Sequence, residues 1–492
     1  MTTRVTINRL STGVPGLDDV LGGGLPELSF NLIAGQPGSG KTTLAHQMMF
    51  ALATPERPAL YLTVLGEPPL KMLRYQQQFG FFDAAAINQS VRFLNLADET
   101  LSGDLDKVLT RIVAEVEAHN PAFVFVDSFR SVMLANAAAG NAHNSLQHFV
   151  QQLGMLMTSW QATTFLIGEY FVETDANPVF TVADGLIWLR QSVERNSMVR
   201  KMEVMKMRGQ ASLPGLHTFR MSSAGIEVFP PAAAGVPTAS SRRSDPPGDR
   251  LLMGVPQLDE MLGGGLPRGY SLLVAGPSGS GKSILAASFL AEGARCGETG
   301  VIAAFEQRPD AARNAVVADL IKLGRVSLVD ARPSDLSIDE VLRLMLAEIR
   351  RTNASRVVID SLSGFELAIA PSFRKDFREE LSRLVAALSA TGATVLLTSE
   401  LEDRYTDLRF SPYGTAFLTD AIIVQRYVEL DSRLRRMIAV VKVRGSRHSN
   451  ELREYSVDDT GLRVGAMLTG QHGLLGGRPT PVATAGRTDP VP

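Results

Sequence analysis

The sequence predicts an α/β protein with two tandem domains of one fold, each a mainly parallel twisted sheet flanked by helices. Two observations lead to this prediction: the chain repeats itself, and short β-rich runs alternate with amphipathic helical segments in each half. The length of 492 residues agrees with it, because a single hydrophobic core stops growing at about 250–300 residues. Hydrophobic residues make up 45% of the chain and charged residues 20%, which is the balance of a globular protein.

The internal repeat is the strongest signal of domain organisation. The segment GVPGLDDVLGGGLP, which begins at Gly13, recurs as GVPQLDEMLGGGLP from Gly254. The same spacing separates Lys41 from Lys282 in the segments that follow. A match of this length in constant register indicates that the two halves share one fold.

Composition shifts predict the boundaries of the two domains. We expect a first domain over 1–228 and a second over 250–465. Residues 229–249 are rich in Pro, Ala and Ser and predict an exposed linker. Residues 466–492 are rich in Gly and Pro and predict a flexible C-terminal tail.

The strand-like runs predict the sheet of each half. They are ALYLTV, VRFLNL, AFVFVD and TTFLIG in the first half, and GVIAAFE, RVSLVD, RVVIDS and TVLLTSE in the second. Amphipathic segments such as DLDKVLTRIVAEVEAH lie between them. Because strands that alternate with helices form parallel sheets covered on both faces, we expect that architecture twice.

Charge, cysteine content and hydropathy argue against several kinds of partner and site. Lys plus Arg number 49 against 51 Asp plus Glu, so the net charge of -2 offers no basic field for nucleic acid. The single cysteine, Cys296, excludes an internal disulfide and a cysteine metal cluster, which favours a reducing compartment. No apolar run approaches the roughly 20 residues of a membrane span. We therefore expect a cytoplasmic protein with no membrane partner, and the charge gives no support to a nucleic-acid partner.

Each half contains a phosphate-loop motif of the form G-x-x-x-x-G-K-[ST]. The first reads GQPGSGKT at 35–42 and the second GPSGSGKS at 276–283, and each lies between a strand-like and a helix-like run. Such loops turn backbone N–H groups onto phosphates, and the lysine adds a charge at the outer phosphates. The residues predicted to hold ATP are Gly35, Gly38, Ser39, Gly40, Lys41, Thr42 and Thr43, and Gly276, Gly279, Ser280, Gly281, Lys282 and Ser283. Lys41 and Lys282 are also predicted to take part in catalysis.

An aspartate ends a buried strand in each half and predicts a site for Mg²⁺. Asp127 follows AFVFV and Asp360 follows RVVI. An acid at the carboxyl end of a parallel strand beside a phosphate loop is where Mg²⁺ is contacted, together with the loop hydroxyl of Thr42 or Ser283. The alternative is a strand-end Asp that caps the next helix.

Hydrolysis additionally requires a carboxylate that positions or deprotonates water. Glu67 and Glu306 end the strands that follow the loop helices, and we predict that they have this role. Alignment of Pro69 with Pro309 places the two glutamates one residue apart. The alternative is a first-turn glutamate that stabilises a helix dipole.

A Lys-x-Arg-Gly sequence lies near the end of each half. It contains Lys206 and Arg208 in VMKMRG, and Lys442 and Arg444 in VVKVRG. Side chains two apart on a strand face the same side, so each pair is able to reach a phosphate, including one held by a neighbouring subunit. The alternative is an exposed, charged strand end.

Taken together, these motifs resemble the KaiC family of duplicated RecA-like P-loop ATPases, which includes the cyanobacterial clock protein. The resemblance covers about residues 5–465. It implies two RecA-like P-loop NTPase domains, a hexameric double ring, and ATP held between protomers. On this resemblance the four Lys and Arg residues act on the nucleotide of the next protomer.

The sequence departs from the family pattern in two places. The paired catalytic glutamates are half present, as Gly66-Glu67 and Glu306-Gln307. The adjacent Ser-Thr pair that clock members phosphorylate is replaced by Ala416-Phe417, although Ser411, Thr415 and Thr419 lie nearby. The first departure affects the expected rate of hydrolysis but not nucleotide binding. Because of the second, we do not expect the phosphorylation cycle of clock members.

The motifs predict an oligomeric switch driven by Mg-ATP that changes its hold on unidentified regulatory partner proteins. The first alternative is an autophosphorylating Ser/Thr kinase of the clock type. The second is a RecA-like DNA motor, but the sequence contains no interleaved basic and aromatic strand-binding loop.

Overall fold

A computed structural model gives the structure of most of the chain in two compact units, Met1–Pro231 and Ala232–Pro492. The residues that it describes are 7–63, 69–101, 104–128, 143–171, 178–194, 197–231, 250–305, 309, 314–330, 336–369, 377–401, 418–430, 432–458, 461–469, 471–472 and 480–481. None of the helices in these ranges combines the length and the apolar character that a membrane span requires.

The first unit is built on a nine-stranded sheet. After a small pair, β1 (Arg9–Leu10) and β2 (Leu25–Pro26), its strands are β3 (Phe30–Gly35), β4 (Ala59–Thr63), β5 (Val91–Asn95), β6 (Phe123–Asp127), β7 (Thr163–Glu169), β8 (Gly185–Glu194), β9 (Ser197–Met207), β10 (Leu216–Ser222) and β11 (Gly225–Phe229). Their spatial order is β11-β10-β9-β8-β3-β7-β6-β4-β5. The strands from β8 to β5 in that order are parallel, whereas β9, β10 and β11 extend the sheet in antiparallel fashion.

Helices cover both faces of this sheet. Those in the described ranges are α1 (Leu17–Val20), α2 (Lys41–Leu52), α3 (Pro69–Gln76), α4 (Ala97–Leu101), α5 (Leu105–His119), α6 (His143–Ser159) and α7 (Pro178–Val182). Neighbouring residues of one strand belong to separate cores: Leu32 packs in the core that includes α5 and α6, and Ile33 in the core that includes α2. The sheet is therefore buried on both faces, as its continuous apolar strands predict.

The second unit repeats the architecture. Its strands are β12 (Arg250–Leu251), β13 (Leu266–Pro267), β14 (Ser271–Gly276), β15 (Gly300–Ala304), β16 (Val326–Asp330), β17 (Arg356–Asp360), β18 (Thr394–Glu400), β19 (Ala421–Leu430), β20 (Arg433–Val443), β21 (Arg453–Asp458) and β22 (Gly461–Met467). Its helices in the described ranges are α8 (Pro256–Met261), α9 (Lys282–Arg295), α10 (Ala315–Lys322), α11 (Ile338–Thr352), α12 (Leu362–Ala368) and α13 (Phe377–Ala390). The spatial order of its nine-stranded sheet is β16-β15-β17-β18-β14-β19-β20-β21-β22. Read from β22 to β16, this order matches that of the first sheet strand for strand. The prediction of two tandem RecA-like P-loop domains is therefore confirmed.

The repeated segment that begins GVPGLDD at Gly13 and GVPQLDE at Gly254 has a structural function in both units. Asp18 accepts hydrogen bonds from the backbone N–H and the hydroxyl of Thr12, at 2.9 and 2.6 Å. Asp259 accepts one from the backbone N–H of Met253 at 2.6 Å. In the glycine run that follows, a β-carbon on Gly24 would lie 2.4 Å from a carbonyl oxygen of β1. These residues fix the entry of the chain into each sheet.

The predicted linker and tail lie mostly outside the described residues. Phe229, where the composition predicts the start of the linker, is the last residue of β11 and is buried. In the predicted tail, Gln471–His472 and Thr480–Pro481 form a short antiparallel pair. The flexibility of the tail stays a prediction.

Candidate functional site

Both phosphate loops lie between the central strand of a sheet and the N-terminus of a long helix. The first connects β3 to α2 and the second connects β14 to α9. The residue before each helix, Gly40 or Gly281, has a positive φ, and neither helix start has a side-chain cap. A β-carbon on Gly35 would lie 2.2 Å from the carbonyl oxygen of Leu189, so only glycine fits there. Uncapped helix N–H groups at a glycine cradle are a suitable site for phosphate.

The loop lysines donate hydrogen bonds to carbonyl groups of their own loops. Lys41 Nζ lies 2.8 Å from the carbonyl oxygen of Gln36. Lys282 Nζ lies 2.9 Å from that of Gly276 and 2.8 Å from that of Pro277. Burial lowers the pKa of Lys41, although the negative charges of Glu169 and Asp127 oppose the shift. Each loop therefore holds a cation within reach of an incoming phosphate.

The structure brings the predicted metal ligands of the first half together. Thr42 Oγ1 donates to Asp127 Oδ2 at 2.8 Å. The hydroxyl of Tyr61, in β4, donates to the same oxygen at 2.7 Å. Burial raises the pKa of Asp127, while these two hydrogen bonds and the charge of Lys41 lower it. A carboxyl oxygen that accepts two short hydrogen bonds is thus built into the site.

The second half positions its aspartate differently. Asp360 Oδ1 accepts a hydrogen bond from Thr398 Oγ1, in β18, at 2.5 Å. Ser283 is exposed, and the described part of the chain contains no hydrogen bond between it and Asp360. The two halves therefore share the phosphate loop and the acid but not the contacts between them.

The donor atoms of the first half fit Mg²⁺. A threonine hydroxyl and a carboxylate are hard oxygen ligands, which Mg²⁺ prefers, usually with one or two carboxylates and the phosphates of its substrate. Within the described residues, no group of three or more His, Cys, Asp and Glu side chains is close enough to form a metal cage. The site therefore fits a cation that is shared with a nucleotide rather than one bound by protein alone.

The predicted Lys-x-Arg pairs lie far from the phosphate loop of their own half. Arg208 Nη1 lies 3.1 Å from Asp184 Oδ1, and Asp184 Oδ2 accepts a hydrogen bond from the backbone N–H of Phe30 at 3.1 Å. Phe30 begins β3, whose last residue, Gly35, starts the loop. At about 3.3 Å per residue, the two ends of this strand are roughly 16 Å apart. The Lys-x-Arg pair therefore lies near the end of β3 that is opposite the phosphate loop.

The second half repeats this arrangement. Arg444 Nη1 lies 3.6 Å from Asp420 Oδ1, and Asp420 Oδ2 accepts from the backbone N–H of Ser271, the first residue of β14, at 3.0 Å. Lys442 Nζ donates to the carbonyl oxygen of Thr419 at 2.7 Å. Burial, and secondarily the neighbouring arginine, lower the pKa of Lys442, and the same two causes lower that of Lys206. The geometry does not join either pair to a phosphate loop of the same half.

Several predicted residues lie outside the described ranges. Among them are both predicted catalytic glutamates and most of the predicted acceptor segment: Glu67, Glu306, Ser411, Thr415, Ala416 and Phe417. The roles assigned to these residues stay predictions. Thr419 is described, and its side chain is fully buried.

The structure adds residues that the sequence did not single out. Glu169 pairs in register with Gly35, and Glu400 with Gly276, so each ends the strand beside a phosphate-loop strand. The sequence contains a signal for these two glutamates, because TTFLIGE and TVLLTSE both end in Glu at the same point of the two halves. Tyr61 and Thr398 had no such signal, since they occupy different strands and have no polar counterpart in the other half.

A cavity of about 330 Å³ adjoins the first phosphate loop. It is lined by Gln36 of the loop and by Trp188, Arg190 and Lys201 of β8 and β9, among others. Gln191 Nε2 donates to the carbonyl oxygen of Pro37 at 3.1 Å, which joins this wall to the loop. The space offers apolar and cationic surface beside the phosphate site.

Comparisons of the sequence with known proteins find matches along most of the chain. A sequence model of the family described as the KaiC ATPase matches residues 10–233 and 251–468. The circadian clock oscillator protein KaiC of Picosynechococcus sp. is 27% identical over 491 residues, covering 97% of this chain and 93% of that protein. The protein of the same name from Rippkaea orientalis is 27% identical over 488 residues, with 96% and 92% covered. Circadian clock oscillator protein KaiC 1 of Synechocystis sp. is 26% identical over 494 residues, with 98% and 93% covered.

Proposed function

Because this chain belongs to the KaiC family of P-loop ATPases, we propose that it binds and hydrolyses Mg-ATP in both halves and acts as an oligomeric regulatory switch. The observation that carries the proposal is the Thr42–Asp127 contact of 2.8 Å beside an uncapped helix N-terminus and a loop lysine. These groups match the three needs of a bound nucleotide: backbone donors, a cation and oxygen ligands for Mg²⁺.

The residues of each loop have separate functions in this proposal. The backbone N–H groups of 35–42 and 276–283 bind the phosphates, and Lys41 and Lys282 exchange their carbonyl partners for phosphate oxygens. Thr42 and Asp127, and Ser283 and Asp360, hold Mg²⁺, which neutralises charge on the phosphates when it is bound. Glu67 and Glu306 position the attacking water.

We propose that a second protomer completes each site. Arg208 is anchored through Asp184 at the end of the strands opposite its own loop, and Lys206 Nζ donates to the carbonyl oxygen of Thr181 at 3.1 Å. A nucleotide at their end of the sheet belongs to another copy of the chain. This geometry supports a ring of protomers, and the resemblance to KaiC implies a hexameric double ring.

The switch function connects the nucleotide state of the ring to its partners. The relatives named above are clock oscillator proteins. We propose that binding and slow hydrolysis change the contacts between protomers, and with them the affinity for regulatory proteins.

Autophosphorylation gains no support from the described residues. Thr419 has a fully buried hydroxyl, and its carbonyl oxygen binds Lys442. Ala416 and Phe417 have no hydroxyl to phosphorylate.

The proposal is tested by measuring the size of the purified protein with and without Mg-ATP, together with its phosphate release. We expect a nucleotide-dependent increase to a ring-sized particle and slow release of phosphate. A protein that stays monomeric and releases no phosphate above background contradicts both parts of the proposal.

A further inference from the structure

Tyr61 is a buried phenol whose hydroxyl reaches the predicted magnesium ligand of the first half. Its side chain is fully buried in the sheet. Its ring centroid lies 4.5 Å from that of His46, 5.3 Å from that of Phe93 and 6.0 Å from that of Phe125. Packing on these rings fixes the ring of Tyr61, so its hydroxyl has a defined position at the end of β6.

Two hydroxyl groups donate to one carboxylate oxygen. Tyr61 and Thr42 both donate to Asp127 Oδ2, at 2.7 and 2.8 Å. Within the described residues no hydrogen bond reaches Oδ1 of Asp127. A hydroxyl has one proton and two lone pairs, so a Thr42 hydroxyl that donates its hydrogen bond to Asp127 keeps its lone pairs for a cation.

The second half lacks this arrangement. Ile302, the third residue of β15, occupies the place that Tyr61 has as the third residue of β4. The hydroxyl on Asp360 comes instead from the other neighbouring strand, from Thr398, whose counterpart in β7 is Ile167. The two halves therefore orient equivalent acids from opposite sides.

We propose that Tyr61 is a positioning residue that holds Asp127 and Thr42 in the geometry needed for Mg²⁺, in the first half alone. The inference rests on the proposed function, since it concerns the metal of the same nucleotide site. The hydrogen bond from the Tyr61 hydroxyl to Oδ2 keeps the carboxylate from turning away from Thr42. Loss of the Tyr61 hydroxyl leaves Oδ2 with one hydrogen-bond donor and lets the carboxylate rotate.

The test is the Mg²⁺ dependence of nucleotide binding in the full-length chain. Lys282→Ala is present throughout, so that a fluorescent ATP analogue, N-methylanthraniloyl-ATP, reports the first half. Mg²⁺ is titrated at a fixed concentration of the analogue, and affinity is measured separately in EDTA. Tyr61→Phe keeps the ring and removes only the hydroxyl. Tyr75→Phe, at an exposed phenol of α3 in the same half, is the matched control.

We expect Tyr61→Phe to raise the half-saturating Mg²⁺ concentration about tenfold, the order expected for the loss of a hydrogen bond to a charged group. Affinity in EDTA should not change, and Tyr75→Phe should coincide with the parent protein. Coincident Mg²⁺ curves for Tyr61→Phe and the parent overturn the inference while leaving nucleotide binding established. An equal loss of affinity with and without Mg²⁺ also overturns it, because a merely structural role for Tyr61 has that effect.

The corresponding experiment in the second half uses Thr398→Val in a Lys41→Ala chain. The Mg²⁺ requirement should rise there, whereas Thr398→Val should leave the first-half curve unchanged. A shift of the first-half curve contradicts the independence of the two arrangements. If the parent chain binds no analogue at any Mg²⁺ concentration, the proposed function itself fails and Tyr61 has no metal to position.

Discussion

Arg208 forms an ion pair with Asp184, with 3.1 Å between Nη1 and Oδ1, at the end of the sheet where β3 begins. The phosphate loop of the same unit starts where β3 ends. An arginine held in this way lies at the end of β3 away from the predicted nucleotide site of its own unit.

Mixed rings should recover activity that neither variant has alone. We expect little phosphate release from Arg208→Ala or from Lys41→Ala, each in a Lys282→Ala chain. Mixing the two creates junctions in which an intact loop meets an intact arginine, so phosphate release should rise well above that of either variant. A phosphate-release assay on the mixture tests this, with each variant mixed with itself as control. Activity equal to the average of the separate variants would mean that Arg208 does not act between protomers.

Lys41→Ala and Lys282→Ala should each remove one nucleotide site. The loss of a charge at the outer phosphates leaves a loop that binds weakly. Equilibrium binding of ATP should therefore fall to half of the sites in each single variant and to none in the double variant. Lys107→Ala, on the exposed face of α5, is the matched control. Wild-type affinity in the double variant would show that the loops are not the nucleotide sites.

Glu67→Gln and Glu306→Gln should slow hydrolysis without releasing ATP. A glutamine cannot accept a proton from water, and the loss of such a group costs on the order of 10²-fold or more in rate. Single-turnover phosphate release and nucleotide binding separate these effects, with the exposed Glu117→Gln as control. Unchanged release by the double variant would direct attention to Glu169 and Glu400, which end the strands beside the loop strands.

The wild-type protein should carry no stoichiometric phosphate after incubation with Mg-ATP. Phosphoryl transfer needs a hydroxyl in line with the γ-phosphate, and a displacement of about 1 Å costs around 10²-fold. Ala416→Ser with Phe417→Thr should create or raise autophosphorylation, and Lys282→Ala should abolish the gain. Mass spectrometry gives the site and its occupancy. Stoichiometric phosphate on wild-type Thr415 or Thr419 would make the kinase function the leading one.

The stability of the second unit should fall as the pH rises through the range in which Asp259 ionises. Burial raises the pKa of Asp259 to about 6, although backbone N–H groups, first that of Met253, oppose the shift. An unfolded aspartate has a pKa of about 3.9, so the folded unit binds a proton more tightly between these values. By linkage, its stability decreases from about pH 4 to above pH 6.

Asp259→Asn should remove this component while keeping an oxygen acceptor for the N–H of Met253. The thermal unfolding midpoint of the wild type should therefore drop more between pH 5 and pH 7 than that of the variant. Asp339, whose pKa burial also raises to about 6, is present in both proteins and cancels in the comparison. Parallel pH profiles would show that Asp259 does not contribute.

The sequence predicts the fold well and the approach of Asp127 to Thr42 correctly, because both depend on pattern. Strand periodicity and the repeat indicate the two sheets, and the position of Asp127 at a strand end indicates its approach to Thr42. The contacts of Tyr61 and Thr398 depend on which neighbouring strand supplies a hydroxyl. Alternation fixes the face on which a side chain lies but not the atom that it reaches, so the sequence does not predict these contacts.

For a related reason, the sequence does not predict the ion pair that anchors Arg208. Its partner, Asp184, precedes β8, and the register of the β8–β9 hairpin decides that the two meet. The sequence indicates that the Lys-x-Arg pairs end strands, and the resemblance to KaiC implies their action on another protomer. Neither indicates the aspartate that holds the arginine in place.

Under the proposed arrangement, one chain carries the two parts of a nucleotide site at opposite ends of the strands in each sheet. Under the arrangement proposed for Arg208 and Arg444, assembly and nucleotide binding are thermodynamically coupled and the coupling is reciprocal. The factor by which ring closure tightens ATP binding must equal the factor by which ATP tightens ring closure. Dilution of the protein would then release nucleotide, and consumption of the nucleotide would loosen the ring, so that protein concentration and ATP supply are read by the same set of contacts.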